Sequence, residues 1–154
     1  MTRTLVAGIG NVFNGDDGFG PEVARRLLDR PLPDGVRVED YGIRGVHLAY
    51  ELLDGYDLVV LVDALPRGEA PGTVYVLEPE VDVDAAPPLD AHRMDPRSVL
   101  AAVAGMGGEV GRLLLVGCEP ADVEEGMGLS PPVAAAVDRA ADVVDDLVSG
   151  REIR

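Results

Sequence analysis

The sequence predicts an α/β fold: a single three-layer domain over residues 1–154, with a mostly parallel twisted sheet flanked by helices on both faces. Two observations predict it. Short, nearly continuous apolar runs alternate with amphipathic stretches, the pattern of strands buried on both faces between covering helices. The 154 residues are also the amount of chain that builds one good core, and neither a repeat nor a linker divides them. Aromatic residues make up only 4% and Trp is absent, so aliphatic side chains must fill that core.

The elements follow in order. "TLVAGI" (Thr4–Ile9) is a short buried strand. A helix is expected from about Pro21, a residue suited to the first helical turn, with Val23, Leu27 and Leu28 on one face. "GVRVEDYG" (Gly35–Gly42) reads as a second strand, and "GVHLAYELLDG" (Gly45–Gly55) as a helix stopped by its glycine. "DLVVLVDAL" (Asp57–Leu65) is the clearest buried strand, and "GTVYVLEP" (Gly72–Pro79) is another. A helix is expected to open at Asp95 and Pro96. "RLLLVGCEP" (Arg112–Pro120) is the last strand. The final helix starts at Ser130 and Pro131, with Ser130 read as its cap. It carries Val133, Val137, Ala141, Val144 and Val148 on one stripe and ends at Gly150. The least regular stretches, Pro79–Asp95 and Glu119–Ser130, are where loops on a rigid sheet would carry function.

Charge narrows the function. With 28 acidic and 13 basic residues the formal charge is -15, which argues against nucleic acid or an anionic membrane surface as partner and favours cations or a basic segment. All 13 bases are Arg, which excludes a Walker lysine and Schiff-base chemistry. The one cysteine, Cys118, allows no intramolecular disulfide and no cysteine-based zinc site. Neither a signal-peptide pattern nor a membrane-length apolar run is present, so a cytoplasmic protein is expected. Compactness suggests a monomer.

"VAGIGNVFNGDDGFG" follows the first strand with the glycine richness of a nucleotide loop. A dinucleotide fingerprint would place its third glycine where Phe13 stands, and Asp16 and Asp17 would repel a pyrophosphate. Gly8, Gly10, Gly15, Gly18 and Gly20 are read as supplying turn conformations, with Asn11 bonding the loop backbone. Either Asp could instead complement the positive end of the next helix.

Asp63 ends the run "LVVLVD", at the strand edge where open α/β sheets bind ligands. If the strands led by Thr4 and Asp57 are neighbours, Asp17 and Asp63 project over one crevice. Paired carboxylates there call for a proton or a cation. Of the two histidines, His47 sits in a helical pattern, whereas His92 in "PPLDAHRMDP" lies in a loop that could reach the crevice. Two carboxylates and one imidazole can bind a borderline metal and leave positions open. None of the serines, Ser98, Ser130 and Ser149, lies in a nucleophile elbow, and Cys118 reads as inert core.

The ordered set "GIGNVFNGDDGFG", "LVVLVDAL", "DAHRMDP", "VGCEP" and "GLSPPV" resembles the nickel–iron hydrogenase maturation endopeptidases over nearly the whole chain. The resemblance implies a protease that removes a short C-terminal peptide from the hydrogenase large-subunit precursor once nickel is inserted. It implies that Asp17, Asp63 and His92 are the metal-contacting and catalytic residues. It implies further that nickel is carried by the substrate and is not a resident cofactor. The chain departs from other members at Asp17, where some carry Glu, and at Asp90 and Ala91 just before His92. The ion could polarise the scissile carbonyl or activate a water. The alternatives are a non-enzymatic acidic metal-binding assembly factor and a nucleotide-binding enzyme on a doubly wound sheet.

Overall fold

The computed structural model describes residues 3–78 and 111–150. The first strand, β1 (Thr4–Ile9), runs into a 3₁₀ turn (Gly15–Gly18) and helix α1 (Phe19–Leu28). Strand β2 (Val36–Gly42), helix α2 (Gly45–Leu52) and strand β3 (Leu58–Ala64) follow. Strands β4 (Val74–Leu77) and β5 (Arg112–Cys118) lead to the last described helix, α3 (Pro131–Val148). The helix expected from Asp95, and His92 with it, lie outside the described residues.

These strands form one five-stranded sheet in the order β2-β1-β3-β5-β4. All neighbours are parallel except β4, which runs antiparallel to β5 at the edge. The fold is therefore the expected mostly parallel α/β sandwich. β1 and β3 are neighbours, in a register that sets Gly8 opposite Val62. The chain leaves β1 for β2 on one side and returns to β3 on the other, so the strand order reverses between β1 and β3. That reversal opens a crevice beyond their carboxyl ends.

The two-residue alternation of a strand sends successive side chains to opposite layers. Leu5, Ala7 and Ile9 of β1 join Val59 and Leu61 of β3 beneath Leu48, Ala49 and Leu52 of α2. Val6, Val60, Val62 and Val116 face Phe19, Val23 and Leu27 of α1 and the Val133–Val144 stripe of α3. Each such aliphatic side chain, removed fully from water, contributes about 1.5–3 kcal/mol. Arg26 and Arg30 tie α1 to α3 through Asp138 and Asp142 at 2.7 and 2.8 Å on the surface.

Three expectations need correction. α1 begins at Phe19, two residues before Pro21, because the 3₁₀ turn already winds the chain. Leu28 does not share the buried face: it is 61% exposed, since it follows Leu27 by a 100° step that carries it off the stripe. α2 ends at Leu52, and the turn residues beyond it reach Gly55 with its positive φ of 81°. Among the described residues no helix is long and apolar enough to cross a membrane.

Candidate active site

The loop after β1 is held by contacts that no larger residue would allow. Gly10 has φ 140° and donates its N–H to the Gly42 carbonyl at 2.9 Å, and a Cβ on it would overlap the Asp17 carbonyl. The expectation that all five loop glycines supply turn conformations needs correction. Gly10 and Gly15 have positive φ, whereas Gly8 and Gly20 are there because backbones touch. A Cβ on Gly20 would overlap the Ile9 and Val62 carbonyls, and one on Gly8 would overlap Gly20. Helix α1 is thereby seated directly on the ends of β1 and β3. Asn11 braces the turn as expected, its Oδ1 accepting the Phe13 N–H at 2.9 Å.

The two adjacent acids of this loop have opposite environments. Asp16 is fully buried. Its carboxylate accepts the N–H groups of Ala121 at 2.8 Å, Asp122 at 3.0 Å and Ser130 at 2.7 Å, and the Ser130 hydroxyl at 2.8 Å. Burial by itself raises its pKa, but the four hydrogen bonds together outweigh that and hold it below the usual 3.8. Asp16 clamps the first loop to the loop after β5 and to the N-cap residue of α3. Ser130 is the N-cap residue of α3, as expected, and its carbonyl accepts the Ala134 N–H at 2.8 Å, but its side chain is committed to the Asp16 clamp and makes no capping bond.

Asp17 is half-buried and lies in the crevice. Among the described residues one donor serves its side chain, the Asn11 N–H, at 2.8 Å from Oδ2. Desolvation raises its pKa above 3.8, against the smaller lowering effect of that bond. A carboxylate desolvated with so little hydrogen-bond compensation is stabilised by a cation brought to it.

Asp63 sits at the carboxyl end of β3 and is only 5% exposed. The next residue, Ala64, lines the same cleft as Asp17, together with Asn14, Pro66, Pro120 and Val123, around a volume of about 500 Å³. The structure thus brings Asp17 and the strand end bearing Asp63 to one side of the sheet. His47 lies exposed on α2.

A third buried acid was not singled out from sequence. Glu119, 3% exposed, accepts the Arg67 N–H at 2.9 Å and the Glu69 N–H at 2.6 Å, fixing the loop after β3. The signal was present, since Glu119 ends an apolar run as Asp63 does. Tyr75 packs against Gly117 and donates its hydroxyl to the Leu65 carbonyl at 2.7 Å. Cys118 is buried, and burial, reinforced by the nearby Asp16 charge, pushes its thiol up to about 11. It is poorly suited to act as a nucleophile.

The cleft at the strand-order reversal is thus lined by Asp17 and by Ala64, the neighbour of Asp63. The sequence model of the hydrogenase maturation proteases fits residues 21–146. The chain belongs to the hydrogenase maturation protease family. A putative hydrogenase maturation protease of Methanocaldococcus jannaschii is 34% identical over 149 residues, covering 91% of this chain and 92% of its own. The hydrogenase expression/formation protein HupD of Rhodobacter capsulatus is 35% identical over 143 residues, covering 90% of this chain and 67% of its own. The hydrogenase maturating endopeptidase HybD of Escherichia coli superposes with a TM-score of 0.80 at 30% identity, covering 97% of this chain and 93% of its own. Hydrogenase maturation proteases are peptide-bond hydrolases, so the non-enzymatic and nucleotide-dependent alternatives give way to a peptidase.

Proposed function

We propose that this protease removes a short C-terminal peptide from the nickel-loaded large-subunit precursor of a nickel–iron hydrogenase. Asp17, Asp63 and His92 complete the coordination of an ion that the substrate already holds, with residues 1–154 acting as one unit, as a monomer in the cytoplasm. The observation that carries this reading is the contrast between the adjacent acids. Among the described residues, Asp16 is buried and satisfied by four hydrogen bonds, whereas Asp17 is desolvated in the cleft with one. Only the second has a reason to accept a cation.

On this reading a substrate without nickel offers Asp17 nothing to neutralise, and its desolvated carboxylate resists being covered further. With nickel present, Asp17 gains a cationic partner as the peptide enters the cleft. The metal is then a checkpoint for cleavage. Held there by the substrate, such an ion would supply Lewis-acid chemistry toward the scissile carbonyl or toward an attacking water, with whichever carboxylate it left uncoordinated as base.

The test is the intact mass of a cognate large-subunit precursor after incubation with the protein, with and without nickel loading. Loss of a discrete C-terminal peptide only from the nickel-loaded sample is expected. Equal cleavage of both samples would remove nickel from the recognition step, and an unchanged mass in both would remove the proteolytic role.

A further inference from the structure

Six large apolar side chains stand exposed among the described residues, and three of them share one place: Phe13 at 61%, Val123 at 52% and Met127 at 76%. The segments that bear them are bonded together. The Gly126 N–H donates to the Phe13 carbonyl at 2.7 Å, and the Gly15 N–H donates to the Gly126 carbonyl at 2.8 Å. Asp16 clamps the same two segments from beneath through Ala121 and Asp122. Gly126 and Gly128, with φ of 154° and 98°, bracket Met127 in backbone that side chains rarely adopt. Singly scattered apolar residues on a surface call for no explanation, but this group is held in place on two fixed loops.

We propose that Phe13, Val123 and Met127 form the surface on which the substrate polypeptide docks beside the cleft, and that the surface selects an apolar segment bearing basic side chains. The proposal rests on the endopeptidase reading for the identity of that polypeptide. Continuity supports the location, because Val123 lines the cleft with Asp17, and Phe13 adjoins its lining residue Asn14. Charge supports the selectivity. Asp122, Glu124 and Glu125 are exposed around the patch, and no Arg occurs between Arg112 and Arg139. An acidic rim around apolar anchors favours encounter with basic chains and opposes acidic ones. A second copy of this chain would bring the same acids face to face, so self-association is disfavoured there.

The experiment measures the affinity of nickel-loaded large-subunit precursor for the wild type, Phe13→Ser/Met127→Ser, Glu124→Gln/Glu125→Gln and Leu28→Ser. Leu28 serves as the control, exposed to the same degree as Phe13 but at the far end of α1. Circular dichroism and thermal unfolding establish that each variant is folded. The apolar double variant is expected to bind about tenfold more weakly or worse. The charge variant should bind with a flatter salt dependence, and Leu28→Ser should match the wild type. Wild-type affinity in the folded apolar double variant overturns the proposal, as does a fall in self-association with no loss of precursor binding. Precursor that binds the wild type through this patch yet is never cleaved overturns the endopeptidase reading and leaves the docking surface standing.

Discussion

Ser130 hydrogen-bonds Asp16 twice, through its N–H to Oδ1 at 2.7 Å and its hydroxyl to Oδ2 at 2.8 Å, across 114 residues of chain. This pair joins the start of α3 to the loop that carries Asp17. The rigidity of the proposed site therefore comes from a residue that is not itself in the cleft.

Asp16→Asn places an amide NH₂ among donors that converge on a carboxylate, and at least one of them loses its acceptor. The variant should lose about 2–3 kcal/mol of stability in urea unfolding at neutral pH. Because the folded pKa of Asp16 is held below 3.8, its contribution is fully present above that value and is lost as pH falls through the folded pKa. The stability gap between wild type and variant should therefore narrow in acid. A gap that stays constant with pH would mean that the ionised form is not what the clamp requires.

Asp17→Asn should act in the opposite sense on stability. Burial raises the Asp17 pKa above 3.8, so the folded chain holds this proton more tightly than the unfolded chain. Asp17 then subtracts stability as pH rises from 3.8 through its folded pKa, and the deficit persists at neutral pH. The variant keeps the Asn11 contact through its amide oxygen and should show a higher Tm. Its processing rate should fall about 100-fold or more. Normal processing by this variant would take Asp17 out of the site.

Gly20→Ala tests how α1 is seated. The new Cβ would overlap two backbone carbonyls, Ile9 and Val62, which cannot rotate away as a side chain can. Destabilisation at the upper end of about 1–3 kcal/mol is expected from denaturant melts. Gly55→Ala meets nothing within 4 Å and is opposed only by its φ of 81°, so it should cost less.

Cys118→Ala should process precursor at the wild-type rate. In the folded wild type the buried thiol, raised to about 11, should resist a thiol reagent at pH 8 and react only after unfolding. Rapid modification of folded protein, with loss of activity, would make Cys118 a candidate nucleophile.

Much of the fold was legible in the sequence because its signals are local. "TLVAGI", "LVVLVD" and "RLLLVGC" are apolar runs that only a strand covered on both faces can bury, and the α3 stripe repeats at helical spacing. Leu28 was misplaced because Leu27 and Leu28 look alike in a list of apolar residues, and only the packing of α1 on the sheet distinguishes them. The motif around Asp16 and Asp17 pointed to a cation site from residue type and position at a strand end.

The sequence by itself determined the α/β class, the strand ends that face the cleft, and the family to which "GIGNVFNGDDGFG" points. The tertiary structure decided which of two identical neighbours clamps and which stands in the cleft. That decision depends on donors at Ala121, Asp122 and Ser130, more than 100 residues away, and no local pattern can register them. It also decided that Gly8 and Gly20 serve backbone contact, because a missing Cβ has meaning only once a second backbone is known to pass through its place.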